Sequence, residues 1–362
     1  MKKIQRSQGQ AANDLPVKEL LAWYQSSRRD LPWRGRKDPY ATWISEIMLQ
    51  QTRIETVRDY FRRFLEAFPT VDALAAAPLD RVLKLWEGLG YYSRARNLKV
   101  AAERVAAANR FPAAASEWAE LPGIGPYTAA ALASICNGEA APVVDGNVGR
   151  VVARYRAEPL DPKNPKTRAS IAEWLLPAIE STKTPGDFNE AMMELGETIC
   201  LPSSPECPVC PFRKKCRGFL HGETDLYPAK KPPRARPVRQ FIAFVIQNES
   251  GRFLFHHRPE RGLLGGLWEL PSAEVPRPPT IRTASKIANG MGIMASAWSP
   301  IGKIVHDFTH FQQILHVWLA APKAKTRVTK TYTFAFPENL ALTTASKRAL
   351  EAYKRKIISR TS

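Results

Sequence analysis

The chain is predicted to fold as two domains, one all-α and one mixed α+β, and three observations predict it. Apolar residues recur at spacings of three and four through residues 15–199, with little β-branched alternation. A run of four prolines and four basic residues, PAKKPPRARP at 228–237, then breaks the pattern as an extended, semi-stiff linker. Beyond it the periods shorten to those of strands, with two helical stretches among them. A length of 362 residues suits two or three domains, and 44% hydrophobic residues suffice for real cores.

Taken in order, residues 1–14 carry no apolar run, so they read as a disordered tail and not as a secretory signal. Helices are expected at Val17–Trp23, Trp43–Met48, Val57–Phe68, Leu79–Trp86 and Leu98–Ala108. Pro39, Pro69, Pro78, Gly88, Gly90 and Pro112 punctuate them. At Leu121-Pro-Gly-Ile-Gly-Pro126, Gly123 and Gly125 flank Ile124 and allow a tight turn with exposed N–H groups. Pro126 then suits the first turn of a helix over Tyr127–Ile135, whose start is a ready anion site. Asp145, in Val144-Asp-Gly-Asn-Val148, reads either as a helix N-cap or as a partly buried carboxylate facing that hairpin.

Four of the five cysteines fall within 17 residues, as Cys200-x6-Cys207-x2-Cys210-x5-Cys216. The chain is long and lacks a signal peptide, so a disulfide framework is a poor explanation. Four thiolates suit a zinc ion or an iron–sulfur cluster, and the two long gaps favour the wider cluster. Pro202, Pro205, Pro208 and Pro211 leave this loop without secondary structure of its own. The remaining cysteine, Cys136, reads as a core thiol.

In the second domain, strands are expected at Phe241–Ile246, Arg252–His257, Ile301–Phe308 and Ile314–Ala320. Helices are expected at Ala284–Ala288 and Ala345–Lys354. From Tyr227 onward there are 22 basic and 7 acidic residues, a net +15 of the chain's +19. Charge concentrated in this way calls for a polyanionic partner. No stretch approaches the roughly 18 apolar residues of a membrane span. The domain boundaries read from the sequence are 15–199, a cysteine loop at 200–226, a linker at 227–238 and a second domain at 239–362.

The LPGIG hairpin, the VDGN turn and the four-cysteine loop occur in an order that resembles the endonuclease III superfamily of DNA glycosylases. The resemblance covers residues 15–220 and implies a helix–hairpin–helix glycosylase domain with a [4Fe–4S] cluster on Cys200, Cys207, Cys210 and Cys216. Bifunctional relatives place a lysine where this chain has Tyr127, and a phenol forms no imine. Leu31-Pro-Trp-Arg34, Trp43-Ile-Ser-Glu46 through Thr52, Gly88-Leu-Gly-Tyr-Tyr92 and Phe188 to Gly196 look like the MutY adenine glycosylases. Adenine leaves readily only when protonated, and Glu46 among Trp43, Ile44, Ile47, Met48 and Leu49 suits a carboxyl held neutral for that task. Asp145 is expected to stay ionised and to stabilise the sugar cation. The resemblance implies that Tyr127, Asn147 and Glu190 support this pair and that Trp33, Arg34, Leu49 and Thr52 contact the adenine nucleotide. Base flipping leaves a hole in the stack. Gln51 and Tyr91 match the intercalating positions, with Leu89 beside Tyr91, on a turn whose glycines favour an exposed tip.

Gly262-Leu-Leu-Gly-Gly-Leu-Trp-Glu-Leu-Pro271 resembles the loop signature of Nudix domains, but the acidic helix that should follow is missing. Glu274 is the only acid in that stretch, too little for a magnesium site. The fold is expected to persist as an α+β Nudix-like domain without hydrolysis. His306-Asp-Phe-Thr-His310 resembles the family's lesion-recognition loop, which implies that Phe308, Thr309 and His310 read 8-oxoguanine. His256 and His257 read as plain strand residues. The expected function is monofunctional removal of adenine opposite 8-oxoguanine or guanine in double-stranded DNA. It is expected of a monomer in the bacterial cytoplasm, on the nucleoid, with no membrane partner. Two other readings are a bifunctional pyrimidine-damage glycosylase/lyase, opposed by Tyr127 and the extra basic domain, and a non-enzymatic iron–sulfur DNA sensor.

Overall fold

The computed structural model describes the chain except residues 1–13, 37, 230–234, 261, 323–330 and 362. The expected tail therefore lies outside the described residues save for Asp14, whose carbonyl accepts the Tyr155 hydroxyl at 2.8 Å. The middle of the expected linker lies outside them too.

The first half is helical: α1 Val17–Ser27, α2 Pro39–Leu49, α3 Ile54–Ala67, α4 Val71–Ala76, α5 Leu79–Trp86, α6 Ser93–Ala108, α7 Ala115–Ala119 and α8 Pro126–Asn137. α9 Gly146–Arg156, α10 Pro165–Glu180, α11 Pro185–Thr198 and the short α12 Arg217–Leu220 follow. Prolines open α2, α8, α10 and α11, where a missing N–H costs nothing. The four residues Leu20, Val152, Ile179 and Phe188 illustrate a core formed by α1, α9, α10 and α11. Cys136, expected in a core, is only half-buried on α8.

The second half contains β1 Val238–Ile246, β2 Phe253–His257, β3 Trp268–Glu269, β4 Ser272–Val275, α13 Ile281–Gly290, β5 Ala295–Asp307, β6 Gln312–Pro322, β7 Tyr332–Ala335 and α14 Thr344–Thr361. A four-stranded sheet has the order β4-β1-β6-β5, with β1 and β6 parallel, and a three-stranded sheet has the order β3-β2-β7. Alternation along β1 sends Ala243 and Val245 into one core with Ala349 and Leu350 of α14. It sends Ile242, Phe244 and Ile246 into another with Ala284 and Ala288 of α13. β5 begins six residues before the expected strand, because register shifts around Ser299 and Pro300 blur its alternation.

The described residues pack as two compact units whose division departs from the linear order. Met1–Ala76 and Asn97–Pro232 form one, and Ala77–Arg96 with Pro233–Ser362 form the other. Within the second unit, Lys84 donates to the Leu340 carbonyl at 2.6 Å, and Glu87 accepts the Leu342 N–H at 2.6 Å. The Gly265 carbonyl accepts from Arg96. The glycine loop at 262–271 thus anchors the segment that carries Tyr91. Glu274 is paired with Arg239, at 2.8 Å from Nε. Among the described residues no helix is long and apolar enough to cross a membrane.

Candidate active site

Glu46 lies on a helix with almost no solvent face. Asp38 caps α2 by accepting the Tyr40 N–H at 2.9 Å, and every residue from Tyr40 to Met48 is buried. Glu46 is 7% exposed, and its Oε2 has no hydrogen-bond partner among the described residues. Burial first, then the charge of Glu190, pushes its pKa up to about 7. Tyr127 and Arg34 act in the opposite direction without prevailing.

Both readings of Asp145 hold at once. It is the N-cap of α9, with Oδ1 accepting the Val148 N–H at 2.7 Å, and it is half-buried on the pocket wall. Burial raises its pKa above the ordinary carboxylate value. The N–H groups of Val148 and Asn147, with Arg150 nearby, oppose that rise. The start of α9 also favours a negative charge there. Glu46, with a bare oxygen, and Asp145, with backbone donors, therefore sit in contrasting surroundings.

Tyr127 opens α8 just after the hairpin, and its hydroxyl meets the Met193 sulfur at 3.1 Å. Burial, then Glu46 and Asp145, holds the phenol neutral far above its ordinary pKa. Gly123 has φ +81°, and a Cβ there would lie 2.7 Å from Cβ of Asn97, so only glycine makes this turn unstrained. Ile124 is buried, while Gly125 is exposed with open space around it, so the backbone there is approachable by a phosphate.

α11 brings a second set of groups. Asn189 accepts the Val143 N–H at 2.9 Å and donates to Ser134 Oγ and the Ala141 carbonyl, both at 2.8 Å. This clip fixes the irregular segment that delivers Asp145. Glu190 Oε2 accepts the Tyr24 hydroxyl at 2.8 Å. Gly196 lets α11 close on α9, since a Cβ there would meet Cβ of Asn147 at 2.7 Å. Arg150 donates to Asn147 Oδ1 at 2.9 Å and to the Cys200 carbonyl at 2.8 Å, joining α9 to the cysteine loop.

One pocket in the first unit gathers Trp33, Arg34, Glu46, Leu49, Gln51, Thr52, Tyr127, Asp145, Asn147 and Glu190. Leu31, Arg53, Ile54, Met193 and Glu197 complete its lining. Met193, inside the Phe188–Gly196 motif, and Glu197, just beyond it, are not singled out by the sequence motifs, although the spacing 190, 193, 197 is the i, i+3, i+7 signature of one helix face. Gln51 is exposed with φ 58°, a conformation that a non-glycine residue adopts only where the surroundings impose it.

The other expected contacts belong to the second unit. Tyr91 has φ 47° and is 43% exposed, as a loop tip requires. Leu89 departs from expectation: it is 5% exposed, so its side chain packs inward and is not offered to a ligand. Thr309 and His310 are exposed, and Thr309 Oγ1 lies 3.1 Å from the Tyr91 hydroxyl. Phe308 stacks on Phe311 at 4.7 Å between ring centroids.

Cys200, Cys207, Cys210 and Cys216 all line one cavity with Phe212 and Arg154. Arg154 is 2% exposed, donating to the Leu201 carbonyl at 2.6 Å and the Cys200 sulfur at 3.3 Å. The Phe212 N–H points to the Cys210 sulfur at 3.4 Å. The donor set is four sulfurs with no nitrogen or carboxylate. Among the described residues no three His, Cys, Asp or Glu side chains are grouped as metal ligands. A thiol-walled cavity with cationic and N–H donors to sulfur fits a larger, negatively charged cluster.

The chain matches the HhH-GPD superfamily base excision DNA repair protein family over residues 44–177 and the NUDIX domain over 242–352. The adenine DNA glycosylase of Homo sapiens is 34% identical over an alignment that covers 92% of this chain and 73% of that protein. That of Arabidopsis thaliana is 37% identical over 83% of this chain; the match spans only 56% of that protein's length. A solved thermostable thymine-DNA glycosylase matches with a TM-score of 0.52 at 29% identity, over 57% of this chain and 95% of that one.

Proposed function

The chain belongs to the adenine DNA glycosylases of base excision repair, hydrolases of N-glycosyl bonds, and on that premise we propose that it removes adenine opposite 8-oxoguanine or guanine in duplex DNA. The observation that carries the chemistry is Glu46, a buried carboxyl with one unpartnered oxygen and a pKa near 7. In its neutral form it protonates a ring nitrogen of the flipped adenine and makes the base a leaving group. Asp145, fixed by the N–H groups that open α9, carries the negative charge that faces the sugar cation. Asn147, Tyr127 and Glu190 hold the surrounding geometry, and Arg34 and Trp33 face the base. Tyr127 supplies no amine, so the product is an intact strand with an abasic site.

Gln51 and Tyr91, strained and exposed, fill the gap left by flipping. Phe308, Thr309 and His310 read the opposite base, and the Thr309 hydroxyl is the polar group best placed to separate 8-oxoguanine from guanine. The exposed hairpin backbone at Gly125 takes a phosphate. The four cysteines would hold a [4Fe–4S] cluster, which when bound would cross-link a loop whose regular structure is limited to short single turns. Arg154 and Arg150 tie that loop to α9.

A duplex carrying adenine opposite 8-oxoguanine tests the reading. Incubation with the protein should leave the strand whole, and alkali should then cut it at the adenine position. Cutting without alkali would overturn the monofunctional reading, and no cutting after alkali would overturn the substrate.

A further inference from the structure

Glu194 does not line the pocket, yet its side chain is 1% exposed and both of its oxygens are engaged. Arg29 binds it through Nε at 2.6 Å and Nη2 at 2.8 Å, and Arg34 Nη2 reaches it at 2.5 Å. Arg29 also pairs with Glu197 at 2.8 Å. Two guanidiniums thus meet two carboxylates of α11, and the charges balance. Glu190, one turn earlier on the same face, receives a neutral donor, the Tyr24 hydroxyl.

We propose that Glu194 is a positioning residue that holds Arg34, together with Arg29, as a neutralised cluster, so that Glu46 and Glu190 are left without a cationic partner and Glu46 retains its proton. This rests on the reading of Glu46 as the acid. The charged and titratable groups that act most strongly on Glu46 are Glu190 from α11, Tyr127 from α8, Asp145 at the head of α9 and Arg34 from the loop before α2, and the Cys136 thiol of α8 also feels the Glu46 charge. Arg34 is the single cation among them, and its charge draws the Glu46 pKa down. Burial works to raise the Glu194 carboxyl, but the hydrogen bonds from Arg29 and Arg34 overcome it and bring it below its ordinary value. Glu194 therefore stays charged and offsets Arg34 wherever Glu46 titrates. Removing that negative charge exposes the pocket acids to an uncompensated guanidinium.

The test is the pH profile of adenine excision, measured with full-length protein in excess over an A:8-oxoguanine duplex. In the unaltered protein the rate should fall as pH rises and Glu46 loses its proton. In Glu194→Gln that falling limb should move down by about one pH unit, an approximately tenfold loss on the alkaline side with little change on the acid side. Adding Arg34→Gln should return the limb towards its original position, whatever the absolute rate. A uniform loss at all pH values, or a limb that the second substitution does not return, overturns the proposal. If Glu194→Gln fails to fold, Arg34→Gln alone decides: the limb should move up, and an unmoved limb overturns the proposal. An unaltered protein with no falling limb overturns the reading of Glu46 as well, which separates the two failures.

Discussion

A carboxyl that titrates near pH 7 inside a fold weakens that fold over a definite pH range. Glu46 has its pKa raised from 4.5 to about 7 by burial, then by Glu190. Between those values the native state keeps a proton that the unfolded chain gives up, so stability is full below the lower value and falls as pH rises through the higher one. Glu46→Gln removes the titration. It should therefore gain on the order of 3 kcal/mol relative to the unaltered protein between about pH 4 and about pH 8. Denaturant unfolding at the two pH values checks this, and an unchanged difference would show that Glu46 is not held neutral. The same residue shows what was legible in the chain. Its apolar neighbours are contiguous in the sequence, so its burial could be read directly. Its partners Glu190, Tyr127 and Arg34 come from other elements and could be proposed only through motif resemblance. Glu194 lies inside the Phe188–Gly196 motif but nothing there singles it out, because its role lies in a pairing with Arg29 and Arg34, which are distant in sequence.

At the level of elements, amphipathic period and punctuation located most helices, and α5 matches its expected bounds. β5 was half hidden because Pro300 and the register shifts interrupt its alternation. Leu89 was misjudged for a related reason: its motif sits on an exposed turn, but the side chain points inward. The cysteine loop shows the opposite case, since spacing alone anticipated four thiols on one cavity. Its regular structure is confined to single short turns, and Arg154 and Arg150 join it to α9. Cys207→Ser should therefore yield protein with less iron, less visible absorbance and weaker duplex affinity, with the loop more open to protease. Metal analysis, absorbance and a binding titration check this. Unchanged iron content and affinity would show that the loop is held without that ligand.

Taken whole, the molecule divides its work unevenly between two units. The pocket with Glu46 and Asp145 belongs to the first. Most of the net positive charge, the Tyr91 loop and the Phe308–His310 loop belong to the second. Linear order concealed that residues 77–96 pack with the second unit, because helical periodicity does not reveal which core a helix joins. Paired substitution of Phe308 and His310 by alanine removes no Lys, Arg, Asp or Glu, so salt-dependent binding and A:G excision should change little. Preference for 8-oxoguanine over guanine should drop by roughly tenfold or more, as expected when a specific base contact is lost. Full retention of that preference, measured as the ratio of excision rates, would remove the loop from lesion reading. The most direct measurement of all compares Glu46→Gln with the unaltered protein in excess over an A:8-oxoguanine duplex, following both binding and alkali-revealed adenine loss. The amide keeps the surface but cannot give a proton, so binding should survive while excision falls by at least 10²-fold, on the order expected for loss of a general acid. Excision by Glu46→Gln at the unaltered rate would contradict the assignment of Glu46 as the acid that expels adenine.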